Sequence, residues 1–237
     1  MRVIFLGTGP AAAIPRPGHR DATCRDARQG GKSRRTRSAA LIRDGHTTVL
    51  FDAGPDIREQ LRRERVKTVA AVFLTHRHSD AAGGLRWLPR EIPVYGPEAN
   101  RPIRVGTMTV TPVPVRHAFD DRFPTRGFTV NGRLGYVSDC RAIPSASRRL
   151  LAGLDTLILD AAAYLGRHIP THLSVEQAAL LAARLDPQRL FLTQIGHSFP
   201  PHEIAERAVR RYAKAHGYVF PVRLAHDGLR VEIRNAR

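Results

Sequence analysis

The stretch Leu74–Gly84, LTHRHSDAAGG, does more than any other to limit what this chain can fold into. Just before it, residues 69–75 (VAAVFLT) form an unbroken apolar and β-branched run, the pattern of a strand buried on both faces. That strand stops at His76. Just past a strand end, alternate positions can point the same way, so His76 and His78 can aim at one ion with Asp80 beside it. Two later runs do the same: VTPVPVRH delivers His117 at a strand end, and LGYVSDC delivers Asp139. Such a chain needs a fold that gathers its strand ends at one rim. Neutral imidazole suits zinc or another borderline metal, and the carboxylates add an acidic partner.

The order of elements fits that demand. RVIFLG, SAALIRDG, TTVLFDAG and VAAVFLTH read as strands ending in glycine, aspartate or polar turns. Residues 55–65 between them predict a helix, with Asp56 able to cap it. IPVYG, MTVTPVPV, RGFTV and LGYVSD continue the strands. The second half alternates: DTLILDA (strand), LSVEQAALLAARL (helix capped by Ser174), RLFLTQIG (strand), and PPHEIAERAVRRYAKAHG (helix ending at Gly217). VRLAHDGLRVEI predicts a closing hairpin that turns at Asp227–Gly228. Strands first and alternation later fit two packed sheets with helices outside. There is no repeat or linker, so residues 1–237 are expected to form one domain.

Composition sharpens the expected partners. Lys plus Arg number 38 against 21 acids, a net charge of +17 that concentrates anions near the surface. The arginines are spread along the chain, which argues against a dedicated nucleic-acid arm. Two cysteines, Cys24 and Cys140, are too few for a disulfide framework. No apolar run approaches the roughly 20 residues of a membrane span. MRVIFLGTGP reads as a first strand rather than a secretory signal, so a cytoplasmic protein with no membrane partner is expected.

These residues carry a resemblance. THRHSD followed by GGL, with FDAG upstream, resembles the metallo-β-lactamase fold superfamily. LGTG, LFDAGPD, PVYGP, TPVPVRH, YVSD, LILDA, THLSVEQA and LTQIGHSF follow in the family's order, over essentially the whole chain. The chain looks most like the phosphodiesterase branch, with the cyclic phosphodiesterase of phosphonate breakdown; tRNA 3′-processing endonucleases are more distant. The resemblance implies a four-layer αββα sandwich with the metal site at one edge of the sheets. It assigns His76, His78 and His117 to a first metal, Asp139 to a bridge and Asp80 to a second metal. Asp52 matches a buried supporting aspartate, or it caps a turn. Ala81 and Gln194 stand where the family has second-metal histidines. One firmly bound zinc is therefore expected, with a weak second site of oxygen ligands that suits manganese. His19, Asp21, Cys24 and His197 match a separate structural zinc site, and His172 matches an active-site histidine that contacts phosphate. Related phosphodiesterases form dimers, which implies a homodimer here.

The expected function is metal-dependent hydrolysis of a small or cyclic phosphodiester. Metal-bound hydroxide would attack, Asp80 would act as base and His172 would protonate the departing oxygen. Two alternatives stay open: a nuclease, and a metal-binding or cofactor-biosynthesis protein that does not hydrolyse. The basic loop at residues 29–38 (QGGKSRRTRS) either lines the site or is solvated. His168 either faces the cavity or is exposed, and Cys140 reads as a packed thiol.

Overall fold

The computed structural model describes residues 1–117 and 123–233. Its strands, in chain order, are β1 (Arg2–Gly7), β2 (Ala39–Asp44), β3 (Thr47–Phe51), β4 (Ala71–Phe73), β5 (Val94–Tyr95), β6 (Ile103–Val105) and β7 (Met108–Val115). There follow β8 (Thr125–Val130), β9 (Leu134–Val137), β10 (Thr156–Asp160), β11 (Leu190–Thr193), β12 (Val222–Leu224) and β13 (Arg230–Glu232). The helices are α1 (Ala22–Arg28), α2 (Ile57–Arg63), α3 (Ser79–Ala82), α4 (Ser145–Arg148), α5 (Val175–Leu185) and α6 (His202–Ala215).

Two sheets form, one in the order β13-β1-β2-β3-β4-β5 and one in the order β12-β11-β10-β9-β8-β7-β6. Their facing sides share a core in which Phe5, Phe51 and Phe73 of the first sheet meet Phe128, Tyr136 and Phe191 of the second. Phe51 stacks on both Phe128 and Tyr136 at about 5 Å between ring centroids. The outer faces are covered separately. Ile57 and Leu61 of α2 pack on the first sheet with Leu41, Leu50 and Val72. Residues of α5 and α6, among them Ala178, Leu185 and Val209, pack on the second with Leu157, Leu159 and Leu192. Helix, sheet, sheet, helix is the expected αββα sandwich.

The local signals decide most boundaries. Ser174 caps α5 by accepting the Gln177 N–H, and Gln177 reaches back to the Ser174 N–H, a reciprocal capping box. Gly217 adopts the left-handed conformation just past α6. Two expectations fail. Asp56 makes no side-chain cap on α2; its carboxylate instead accepts the Arg37 N–H at 2.9 Å and pairs with the Arg37 guanidinium at 3.0 Å. The closing segment is no hairpin. β12 pairs parallel with β11 in one sheet, and β13 pairs antiparallel with β1 in the other. The Asp227–Gly228 turn carries the chain across the sandwich. Asp227 holds it there by accepting from the Thr8 hydroxyl and from the N–H and hydroxyl of Thr36. Among the described residues, no helix is long and apolar enough to cross a membrane.

Candidate metal centre

The FDAG and HxHxD segments meet where β3 and β4 end side by side. The Ala53 N–H donates to the Ala81 carbonyl at 2.6 Å, and the Gly84 N–H donates to the Ala53 carbonyl at 2.8 Å. A Cβ on Gly54 would run into the carbonyl oxygen of Asp80, so only glycine lets the two backbones approach this closely. Asp52, at φ 61°, turns its carboxylate back into the sandwich. There it accepts the Thr75 N–H at 2.8 Å and the Thr75 hydroxyl at 3.0 Å.

Thr75 passes this order on to His76. The His76 Nδ1 lies 2.9 Å from the Thr75 hydroxyl oxygen, whose own proton goes to Asp52. Nδ1 is therefore the protonated nitrogen, and Nε2 is bare. His76 is 2% exposed, and its Nε2 is buried without a hydrogen-bond partner. A buried imidazole nitrogen with no partner fits a metal ligand whose ion supplies the missing contact. His117 is prepared the same way: its Nδ1 lies 3.0 Å from the Thr171 carbonyl, which fixes the proton there and frees Nε2. Burial lowers its pKa and keeps the ring neutral. His78 stands at the start of α3, and the ligand atoms of His76, His78 and His117 lie within 4.8 Å of one another. Asp80 comes to 3.7 Å from His76, and His76, Asp80 and Asp139 form an overlapping group.

Asp139 is already engaged. Its Oδ2 accepts the Ser138 hydroxyl at 2.8 Å, and its Oδ1 accepts the Gln194 carboxamide at 2.7 Å. A carboxylate cannot donate, so Gln194 must turn its NH₂ toward Asp139. The Gln194 amide thus meets Asp139, while its Oε1 is buried without a hydrogen-bond partner among the described residues. Ala81 is also buried, with no donor atom to offer.

His172 completes the rim. Its Nδ1 lies 2.6 Å from Asp160, and its ring sits 4.7 Å from that of His117. Burial works against its charge, but the Asp160 carboxylate overcomes this and holds it protonated up to about 9. Asp160 is fully buried and also accepts the Cys140 and Ala162 N–H groups at 3.0 Å. Sequence reasoning missed Thr75, Ser138 and Asp160. Asp160 could have been found, because it ends β10 with the same strand-end placement that singled out its neighbours.

The second expected metal group is only partly assembled. His19, Asp21 and His197 come together within 4.8 Å, with His197 Nε2 at 2.9 Å from Asp21. Cys24 does not join them. Its thiol packs with Ile14 and Ala27, accepts the Arg16 N–H at 3.5 Å and has its pKa raised by burial. Helix α1 turns the thiol inward, where it packs in the core and still bonds the Asp21 carboxylate. Cys140 is likewise buried, and burial pushes its thiol well up. His168 is exposed and outside every group. The basic loop does not line the rim: Arg35 is buried against Thr8, the Ala225 carbonyl and His202, while Lys32 pairs with Glu203. Instead, a cleft of about 980 Å³ runs from His172 to His197, lined by Arg16, Tyr164, Arg167 and Phe199.

Comparison with known proteins agrees with this fold. The chain is 26% identical over 239 aligned residues to an octanoyltransferase of Porphyromonas gingivalis (strain ATCC BAA-308 / W83), covering 86% of this chain but 47% of that protein. It therefore spans about half the length of that relative. It is 27% identical to coenzyme PQQ synthesis protein B of Methylobacterium sp. (strain 4-46), covering 97% of this chain and 99% of that one. A solved diphosphatase of the PhnP family superposes with a TM-score of 0.84 at 28% identity, over 98% of this chain and 97% of that one. Residues 47–102 and 91–195 match the family model described as beta-lactamase superfamily domain, together more than half of the chain. With its αββα sandwich and its rim of strand-end imidazoles, the chain belongs to the beta-lactamase superfamily, in the metallo-β-lactamase fold.

Proposed function

We propose that the chain is a hydrolase of phosphodiester-type bonds that works with one zinc-class ion on His76, His78 and His117. The observation that carries this reading is the His172–Asp160 pair beside that trio. A protonated imidazole fixed 2.6 Å from a fully buried carboxylate has its Nε2 free to give a proton. Placed 4.7 Å from a ligand ring, it suits protonation of a departing ester oxygen. When bound, the ion acidifies water and polarises a phosphoryl oxygen. Asp80, at 3.7 Å from His76, is placed to take a proton from the attacking water. The likeness to a PhnP-family diphosphatase supports phosphorus–oxygen chemistry.

The single-ion reading rests on Gln194. Its amide is held on Asp139 Oδ1, the oxygen that also lies 3.9 Å from His117 Nε2, and neither Gln194 nor Ala81 offers a second cation an imidazole. The same features favour a second reading, a binding or cofactor-biosynthesis protein without hydrolysis, and the relative named coenzyme PQQ synthesis protein B supports it. Assays of bis(p-nitrophenyl) phosphate with zinc and with manganese, run beside a labelled RNA, separate these. Turnover of the ester is the expected result, RNA cleavage alone would make the protein a nuclease, and silence with every metal would favour the second reading.

A further inference from the structure

We infer that the cleft from His172 to His197 is a second binding subsite, one that takes an ester arm with an aromatic or apolar segment ending in a phosphate or carboxylate. The inference deepens the phosphoester reading and rests on it only for the identity of the bond that breaks.

Size comes first. At about 980 Å³ the cleft lies at the top of the roughly 300–1,000 Å³ range of ligand clefts. A compact cyclic phosphodiester would fill a small part of it. An extended molecule, with its phosphoester at His172, has room for a long arm.

The walls give the arm's chemistry. Tyr164 and Phe199 pack edge to face at 4.9 Å, a fixed aromatic surface along the cleft. Beyond it the charges are cationic. Arg167 is exposed on the loop after β10. Arg16 lines the same cleft, and its Nε is buried with no hydrogen-bond partner among the described residues. An arginine on the cleft wall gives an incoming oxyanion a charge-assisted partner. Among the described residues that line the cleft the one acid, Asp21, is engaged: Oδ1 accepts the Cys24 N–H at 2.9 Å, and Oδ2 meets His197 at the same distance. Two arginines therefore face a ligand with the local carboxylate already occupied.

The test compares a matched pair of ligands. Thymidine 5′-monophosphate has the flat ring and one phosphate; thymidine 3′,5′-bisphosphate adds a second anion. Calorimetry on the zinc-loaded protein should find the bisphosphate bound about 10-fold to 100-fold more tightly. That preference should collapse toward unity in Arg167→Ala and in Arg16→Gln. Arg167 lies on an exposed loop, so its variant tests the idea without disturbing the interior; circular dichroism checks both. Equal affinities in the wild type, no binding of either ligand, or a preference that survives both substitutions would overturn the subsite. The p-nitrophenyl 5′-esters of the same pair report on the bond-breaking step separately. A binding preference with no ester cleaved by any metal-loaded form would sink the hydrolase reading and leave the subsite standing. Cleavage of both esters with no preference would do the reverse.

Discussion

Two histidine groups of the chain are built differently. In His76, His78 and His117 the two innermost rings are 2% and 8% exposed, and each has its Nδ1 proton fixed by an oxygen behind it. In His19, Asp21 and His197 the side chains are 45%, 39% and 21% exposed, and Asp21 hydrogen-bonds to His197 while His19 lies 3.8 Å away. The first group leaves a buried nitrogen without a partner; the second is exposed and tied by one hydrogen bond, from His197 to Asp21. A metal site is set by the shell that fixes tautomer and direction before the ion arrives, more than by the count of ligand-type residues.

The largest expected effect tests that contrast directly. His76→Ala should remove the bound ion and lower kcat/KM by more than the ~10²–10⁴ that a general acid supplies. His19→Ala should leave ion content at the first centre and ester turnover close to wild type. Metal analysis beside kinetics checks both, and equal losses in the two variants would break the comparison.

His172→Ala comes next, with kcat reduced by about 10²–10⁴. The pH profile sharpens the result. The acid must be protonated, and Asp160 keeps His172 so up to about 9. Activity should therefore hold as pH rises and fall only above that value. Asp160→Asn removes the charge that raises this pKa, so the alkaline limb should move to lower pH as kcat drops. A limb that stays in place would mean that some other group sets it.

A third prediction concerns the filled second pocket. Ala81→His with Gln194→His replaces the amide that holds Asp139 and adds two imidazoles. Bound metal should rise from one ion per chain to two. A content that stays at one would show that Ala81 and Gln194 are not what keeps a second ion out.

The difference between the two groups also explains how far the sequence could be read. His76, His117 and Asp139 were legible as candidates because each stands two or three residues past the end of a strand with a clear pattern, whereas His78 and Asp80 take their direction from helix α3. Asp52 left two roles open, and its left-handed backbone and bond to Thr75 show how it supports His76. What stayed hidden depends on side-chain direction in loops and on long-range pairing. Whether Cys24 faces the metal group or the core turns on the phase of a seven-residue helix. The Asp227–Gly228 turn looks like a hairpin locally, and only the pairing of its flanks with different sheets shows otherwise. Arg16 and Arg167 lie far apart in the chain, so the cleft they share has no local signature.

The smallest effect decides whether the exposed group holds an ion at all. Asp21 is the N-cap of α1, and its pKa is lowered foremost by the hydrogen bond from the Cys24 N–H. If capping is its whole role, Asp21→Ala should cost about 1 kcal/mol. For a chain of this size that is a melting temperature lower by about 2–4 °C. Asp21→Asn keeps a good cap and should be nearly neutral. If the carboxylate also holds zinc with His19 and His197, Asn cannot replace it, so Asp21→Asn should melt as low as the chelated wild type, and Asp21→Ala should fall further by the lost cap. Thermal unfolding of the three proteins with and without chelator, on a His76→Ala background that empties the first centre, separates a capped helix from a metal clasp.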